Sequence, residues 1–392
     1  MSLELCRMSL QQTRELLKLT DATLQRLCCR HYTDEELSVE AISKVLGGRG
    51  RRGPLSIFVL WGERQGLSRR GRVFHRLAGE VVEGSETIDL EPSSVYAVPL
   101  LKDGVVVSNW SESSEPLGKY QDRFHPDVRT FVGVSITNFV ACRISGETSG
   151  AILAFNYPGE ATEYDADLLQ GLAVVIGSLV TLSKEVRETE HAFVYTIEAL
   201  ARACEAAEEQ TGEHIIRVNR YAGALAANMG LSTDLVEVIS YSAQMHDVGK
   251  IRVPNEILLK PGPLSDAEER IMKLHPVYGE AILGDSPRLE IAREIAVSHH
   301  ENWDGTGYPS GLRGEEIPLP GRIVKLADVY DALRSRRSYK MPFSHQEALD
   351  VFRRGDDRVN PKTHFDPQVL KTFFEIEHMF ATIYESVTIT SA

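Results

Sequence analysis

His299 and His300 stand side by side and run straight into Asp304, Gly305, Gly307, Tyr308 and Pro309, within the stretch HHENWDGTGYP at 299–309. Imidazole is a good ligand for first-row transition metals, and here two imidazoles abut a turn stiffened by proline and loosened by glycine. Other donors recur on apolar stripes. His214 shares a helical face with Val218, Tyr221 and Leu225. His246 and Asp247 end an apolar helix whose stop is marked by Gly249. His275 precedes Pro276 at a helix break, His299 follows Ile295 and Ala296 by a turn, and Asp328 follows Val324 by a turn. Taken singly, each histidine reads as a hydrogen-bonded core residue. The carboxylates are harder to explain, because burying an ionised aspartate without a partner costs several kcal/mol or more. Shared metal ions would explain all of them. Seven ligands exceed the needs of one ion, whereas two ions joined by one aspartate, roughly 3.5–4 Å apart, suit in-line attack on phosphorus. The chemistry expected is phosphoester hydrolysis. Imidazole with carboxylate suits iron or manganese, and zinc is admissible.

The chain that must position these donors has 392 residues, 42% hydrophobic and 25% charged, which suits two or three globular domains. A net charge of −13 argues against a grip on nucleic-acid polymers, which needs a basic surface. Five cysteines (Cys6, Cys28, Cys29, Cys142, Cys204) lack CxxC spacing and suggest a reducing compartment. The first twenty residues read as an amphipathic helix and not as a signal peptide. No uninterrupted apolar run approaches 18 residues. The expectation is a cytoplasmic protein without a membrane span.

Four regions are expected. Residues 1–37 form a helical segment. Residues 38–165 form an α+β module, with strands in LSIFVLW (55–61), VYAVPLL (95–101) and GAILAFNY (150–157), and with the arginine clusters GGRGRRG and SRRGR as solvated loops. Residues 166–200 form a connecting helix in which Leu168, Leu172, Val175, Leu179, Leu182, Val186, Thr189 and Phe193 keep the 4-3 spacing of a parallel coiled-coil dimer. That helix is expected to continue toward His214. Residues 201–392 form an all-α domain, with a capping box at Ser265 and Glu268 and a helix opened by Ser286 and Pro287.

The motifs TGEHIIRV, HDVGKI, LHP, HHENWDGTGYP, ADVYDALRSRRSYK and HFDPQV occur in that order across 190–380. In this the chain resembles the HD-GYP family, the cyclic-di-GMP phosphodiesterase branch of the HD metallohydrolases, whose fold is an all-α bundle. The module before it resembles a GAF sensor domain, through GAILAF and the helix YDADLLQGLAVVIGSLV. The family resemblance implies one ion held by His214, His246, Asp247 and Asp328, and a second held by Asp247, His275, His299 and His300. Some members carry a glutamate for a third metal at the position that is Gln210 here; a neutral amide is a poorer ligand, so two ions are expected. Lys250 is placed one turn after the His-Asp pair to reach a phosphate. The resemblance assigns Arg337 and Lys340 to the dinucleotide, with Arg313 a further candidate. Tyr308 is read either as a substrate contact or as a packing anchor for its loop, and Gly305 and Gly307 as positions for tight turning and close approach of substrate. No side chain stands out as general base, leaving nucleophile generation to the metals, with Asp247 and Lys250 as the catalytic pair. Cyclic-di-GMP would be opened to pGpG or carried on to GMP, under control of a GAF-domain ligand. The competing expectations are a related hydrolase acting on cyclic GMP-AMP and a non-catalytic dinucleotide receptor.

Overall fold

The computed structural model describes residues 34–46, 53–62, 69–77, 80–90, 104–145, 150–206, 212–335 and 341–389. The expected N-terminal helix before residue 34, the strand at 95–101, Cys6, Cys28, Cys29, Gln210, Arg337 and Lys340 lie outside the described residues. The chain divides into two compact units, Met1–Glu190 and His191–Ala392.

The first unit is built on an antiparallel sheet of six strands: β1 (Ser56–Gly62), β2 (Arg69–Leu77), β3 (Glu80–Leu90), β4 (Val105–Asn109), β5 (Asn138–Ile144) and β6 (Gly150–Phe155), in the order β3-β2-β1-β6-β5-β4. From Ile57 to Leu60 the strand β1 is apolar because both of its faces are covered. Ile57 and Val59 point to one side, with α1 (Asp34–Leu46) and the start of α4 (Glu163–Ala206). Phe58 and Leu60 point to the other, against Tyr120 of α2 (Leu117–Gln121) and Val128 and Val132 of α3 (Pro126–Val132). This alternation is the period of two that an extended chain imposes. The segment SRRGR, expected as a loop, instead enters β2: Arg72 pairs in register with Val59 and its guanidinium meets Glu83 of β3. Gly71 makes that possible, since a Cβ there would fall 2.1 Å from Leu60 Cδ2.

The connecting helix, α4, is a single element of 44 residues. Its expected seam is not free along its length. Leu172 and Leu179 are buried, and Leu168 and Val175 pack against the sheet core beside Leu169, Ala173 and Ile176. The 4-3 spacing over these turns is therefore satisfied within the unit, as it is in any helix laid on a sheet. Leu182 and Leu200, farther along, stay 39% and 51% exposed. An 18-residue window of α4 has mean hydropathy 1.6, enough by length and composition to cross a membrane, but half of that window is buried in the structure.

The second unit is helical among its described residues. α4 is described as far as Ala206; Gly212, with φ +76°, then precedes a separate helix, α5 (Glu213–Asn228), which carries His214. There follow α6 (Thr233–Ala243), a 3-10 turn at Val248–Arg252, α7 (Asn255–Leu258), α8 (Asp266–Met272), α9 (His275–Leu283), α10 (Glu290–Ser298), α11 (Leu319–Arg334), α12 (His345–Arg354), α13 (Pro361–His364), α14 (Pro367–Glu375) and α15 (Glu377–Ile389). Ser265 and Glu268 form the expected capping box of α8. Ser286 and Pro287 open a 3-10 turn (Pro287–Leu289) that leads into α10. The core gathers Val218, Tyr221 and Leu225 of α5, Ile239 of α6, Ile295 of α10, Ile323, Val324 and Tyr330 of α11, and Phe352, Phe373 and Phe380. Tyr221 stacks on Phe380 with ring centroids 4.5 Å apart. Burying each such side chain contributes about 1.5–3 kcal/mol, and the resulting rigidity fixes the inner faces of α5, α10 and α11.

Candidate metal centre

Those inner faces carry the donors. His214 opens α5 and Asp328 lies on α11, with His214 Nε2 3.6 Å from Asp328 Oδ1. His246 and Asp247 occupy the turn after α6 rather than its last residues, because the helix ends at Ala243. Asp247 is the residue from which the 3-10 turn starts. Gly249 lets this turn press on α9: a Cβ there would fall 1.9 Å from the His275 carbonyl oxygen and 2.5 Å from Gly279 N. His275 begins α9 and His299 follows the end of α10.

The side chains converge into two sets that share Asp247. His214, His246 and Asp247 form one, with ligand atoms within 4.8 Å of one another; Asp247, His275, His299 and His300 form the other. Asp328 flanks the first set, 3.6 Å from His214 Nε2 and 3.9 Å from His246 Nε2. The two oxygens of Asp247 divide between the sets: Oδ2 lies 3.2 Å from His246 Nε2, Oδ1 3.2 Å from His275 Nε2 and 3.7 Å from His299 Nε2. Oδ1 is buried and has no hydrogen-bond partner.

The hydrogen bonds behind the rings determine what faces inward. His246 Nδ1 lies 2.9 Å from the Ala243 carbonyl, His275 Nδ1 2.8 Å from Met272 O, and His299 Nδ1 3.1 Å from Ile295 O and Ala296 O. Carbonyls only accept, so each Nδ1 carries a proton and donates it, which leaves Nε2 as the position on the inner side that can ligate once deprotonated. His214 donates its Nδ1 proton to Asp331 Oδ2 at 2.8 Å. Yet His214 Nε2 and His246 Nε2 lie only 3.4 Å apart, and His275 Nε2 and His299 Nε2 3.5 Å. Lone pairs opposed at that range repel unless a cation lies among them. The orphaned Asp247 oxygen and these opposed nitrogens fit a metal pair.

The donors' charges act strongly on one another. Burial would raise the Asp247 carboxyl, but Lys250 and His246 hold it well below the usual range. Burial would lower the His246 imidazole, but Asp247 and Asp328 bring it up to about 9. Burial takes His299 down to about 4, and burial with His299 and His275 takes His300 lower than an ordinary imidazole.

Lys250 sits at the rim, with Nζ 2.7 Å from Asp247 Oδ2. Tyr308 stacks on His300, centroids 4.6 Å apart and planes 22° from parallel, with the Lys273 ammonium 5.6 Å from its centroid. The ring thus both anchors its loop and borders the site. Gly305 has φ +84° and turns the chain. Gly307 serves the loop's own packing, since a Cβ there would fall 2.2 Å from Asn302 N and 2.5 Å from Glu301 Cα; the close approach is to backbone, not to an open space. Arg313 is exposed, and among the described residues its side chain makes no ion pair with the cluster.

Three contributors escaped the motif reading. Asp331 is fully buried, holds His214, and accepts from Arg217 Nε at 2.6 Å and Nη2 at 2.9 Å. Its position three residues after Asp328, matching Arg217 three after His214, is the periodic signal that marks both. Glu301 is buried and accepts from Ser310 N at 2.7 Å and Gly311 N at 3.1 Å, tying the tyrosine-bearing loop back to the histidine pair.

Residues 196–369 match the family model described as "HD domain", and this stretch is an HD domain. A cyclic di-GMP phosphodiesterase of Vibrio cholerae serotype O1 is 41% identical over 239 residues, 56% of this chain and 47% of that protein. A cyclic di-GMP phosphodiesterase of Thermotoga maritima is 40% identical over 199 residues, 50% of this chain and 53% of that protein. A 3'3'-cGAMP-specific phosphodiesterase 2, also of V. cholerae, is 38% identical over 242 residues, 60% of this chain and 45% of that protein. The chain spans about half the length of these curated relatives.

Proposed function

We propose that the chain is a metal-dependent phosphodiesterase that hydrolyses cyclic di-GMP, with pGpG or GMP as the end product. The observation that carries this reading is the pair of histidine–carboxylate sets joined at Asp247, with Nε2 atoms facing one another at 3.4 and 3.5 Å. One ion would be held by His214, His246, Asp247 and Asp328, the other by Asp247, His275, His299 and His300. A bound pair of divalent cations supplies Lewis acidity at phosphoryl oxygens and water that deprotonates near neutral pH. The chain's own side chains do the rest. Lys250, a compact point charge beside Asp247, is suited to a phosphate oxygen. Tyr308 is assigned to a guanine or phosphate at the mouth, and Arg337 and Lys340 to the same dinucleotide. The buried imidazoles and the His300–Tyr308 stack keep bulk water from one side of the site.

Iron is the first choice of metal, with manganese or zinc admissible for this donor set. Two ions per chain are expected, because Gln210 offers no carboxylate for a third. The sheet-bearing unit is read as a GAF-like sensor for a small molecule, and the exposed end of α4 as part of a parallel dimer seam. The relative specific for cGAMP keeps that dinucleotide as the alternative substrate. A receptor without turnover is disfavoured, since binding alone does not require seven convergent ligands and Lys250. The test is elemental analysis of anaerobically purified protein together with chromatography of products from both dinucleotides. Two ions per chain and linear pGpG support the reading; turnover of cGAMP alone replaces the substrate, and neither product removes the hydrolase assignment.

A further inference from the structure

Tyr384 lies on α15 one turn after Phe380, so the two side chains share a face of that helix. Phe380 stacks on Tyr221, and beside that stack the Tyr384 ring meets two guanidiniums. Arg334 Cζ is 4.2 Å from its centroid and Arg217 Cζ 5.1 Å. The Tyr384 hydroxyl donates to the Arg334 carbonyl oxygen at 2.6 Å, which fixes where the ring stands. Two cations brought together repel, and the negative face of an aromatic ring offsets this by attracting each of them. Both arginines are buried. Arg334 is also held by Tyr330, whose hydroxyl accepts from its Nη1 at 3.0 Å. Arg217 is the one that leads to the metal centre. Its Nε and Nη2 donate to Asp331 at 2.6 and 2.9 Å, and Asp331 Oδ2 accepts the His214 Nδ1 proton at 2.8 Å. A planar guanidinium orients a carboxylate only while its own plane is fixed. Glu213, 3.1 Å from Arg217 Nη1, is a second carboxylate toward which that plane could turn. The Tyr384 ring is the contact from α15 that opposes the turn.

Resting on the two-metal reading above, we propose that Tyr384 is a positioning residue for the His214–His246–Asp247 set. It acts through Arg217 and Asp331 on the His214 ring. All six sequence motifs end before α15 begins, so none of them marks it.

The test uses the full chain and two variants: Tyr384→Leu, which removes the ring, and Tyr384→Phe, which keeps it beside Arg217. Manganese(II) is titrated into metal-free protein by calorimetry, where the parent should show two affinities. Tyr384→Leu should weaken one of them about tenfold, the lower end of the cost of disturbing the partner behind a ligating histidine, and leave the other within about threefold. Tyr384→Phe should keep both within about threefold. A second readout needs no metal. In metal-free protein with isotope-labelled histidine, the downfield His214 Nδ1–H resonance, assigned by its absence from His214→Ala, should broaden or shift in Tyr384→Leu and persist in Tyr384→Phe. Equal weakening of both affinities overturns the proposal, since it would make Tyr384 a general support of the fold. Unchanged affinities with an unchanged resonance overturn it too, as does an equal loss in Tyr384→Phe, which would trace the effect to the Arg334 carbonyl. If Tyr384→Leu does not fold, a ring-fluorinated phenylalanine at 384 replaces it with the same expected results, because fluorine weakens the ring's hold on a cation while keeping its shape. If the parent takes up no manganese, the two-metal reading fails, while the His214 resonance still decides whether Tyr384 orients that ring.

Discussion

Asp331 shows how much of this site depends on a side chain that touches no ligand. It receives Arg217 and His214 together, and these hold its carboxyl at about 2 although burial alone would raise it. An unfolded aspartate titrates near 3.9. Because the folded value is the lower one, the native state gains stability above pH ~4 and loses it as pH falls through ~2, a contribution of about 2 kcal/mol. Urea unfolding of Asp331→Asn should therefore lack that part of the parent's acid dependence. It should also be less stable at neutral pH, by about 3 kcal/mol, since Arg217 loses its buried partner and keeps, as a carboxylate partner, only Glu213, at 3.1 Å. Its metal affinity should drop about 10–100-fold, the usual cost of removing a partner from a ligating histidine. Unaltered metal binding would show that His214 needs no orienting carboxylate. Lys250→Ala should differ in kind: metal retained, kcat/KM reduced about tenfold to a hundredfold through one lost charged hydrogen bond. Loss of metal in that variant would make Lys250 a support of Asp247 instead.

The inner faces of α5, α10 and α11 were legible because apolar residues at helical spacing mark a face even when a histidine interrupts it. Val218, Tyr221 and Leu225 placed His214 in this way, and Val324 placed Asp328. What the pattern could not give is how short turns press together. The 3-10 turn after Asp247 sits on the start of α9 only because Gly249 has no Cβ, and a lone glycine looks the same wherever it stands. Gly249→Ala should push the turn off α9 and part Asp247 from His275. The expected result is metal loss from the second set with far-ultraviolet circular dichroism unchanged; full metal content would mean that the turn can move without cost to the site. The misread strand β2 has the same origin, for Arg72 and Gly71 look like loop residues until Leu60 is seen to fill the space above the glycine.

In the long helix α4 the 4-3 spacing is used, over its first turns, for packing on the sheet, and a sequence does not separate that use from a dimer seam. Leu172 and Leu179 are buried in the sheet-bearing unit, whereas Leu182 and Leu200 remain exposed on the same helix. Charged residues at Leu172 and Leu179 should therefore unfold that unit, seen as a lost thermal transition. Glutamates at Leu182 and Leu200 should leave both units folded and metal content intact while turning dimers into monomers in sedimentation. A double variant at 182 and 200 that sediments like the parent would remove the proposed seam, and with it the route by which the sheet-bearing unit would influence catalysis.

Everything proposed for this chain returns to Asp247, the one residue common to both histidine sets. Anaerobically purified parent and Asp247→Ala proteins, each incubated with cyclic di-GMP and resolved by chromatography, put that residue to the question. The parent should convert the substrate to pGpG, and Asp247→Ala should give no product and carry little metal. Near-parental turnover by Asp247→Ala would contradict a shared two-metal centre.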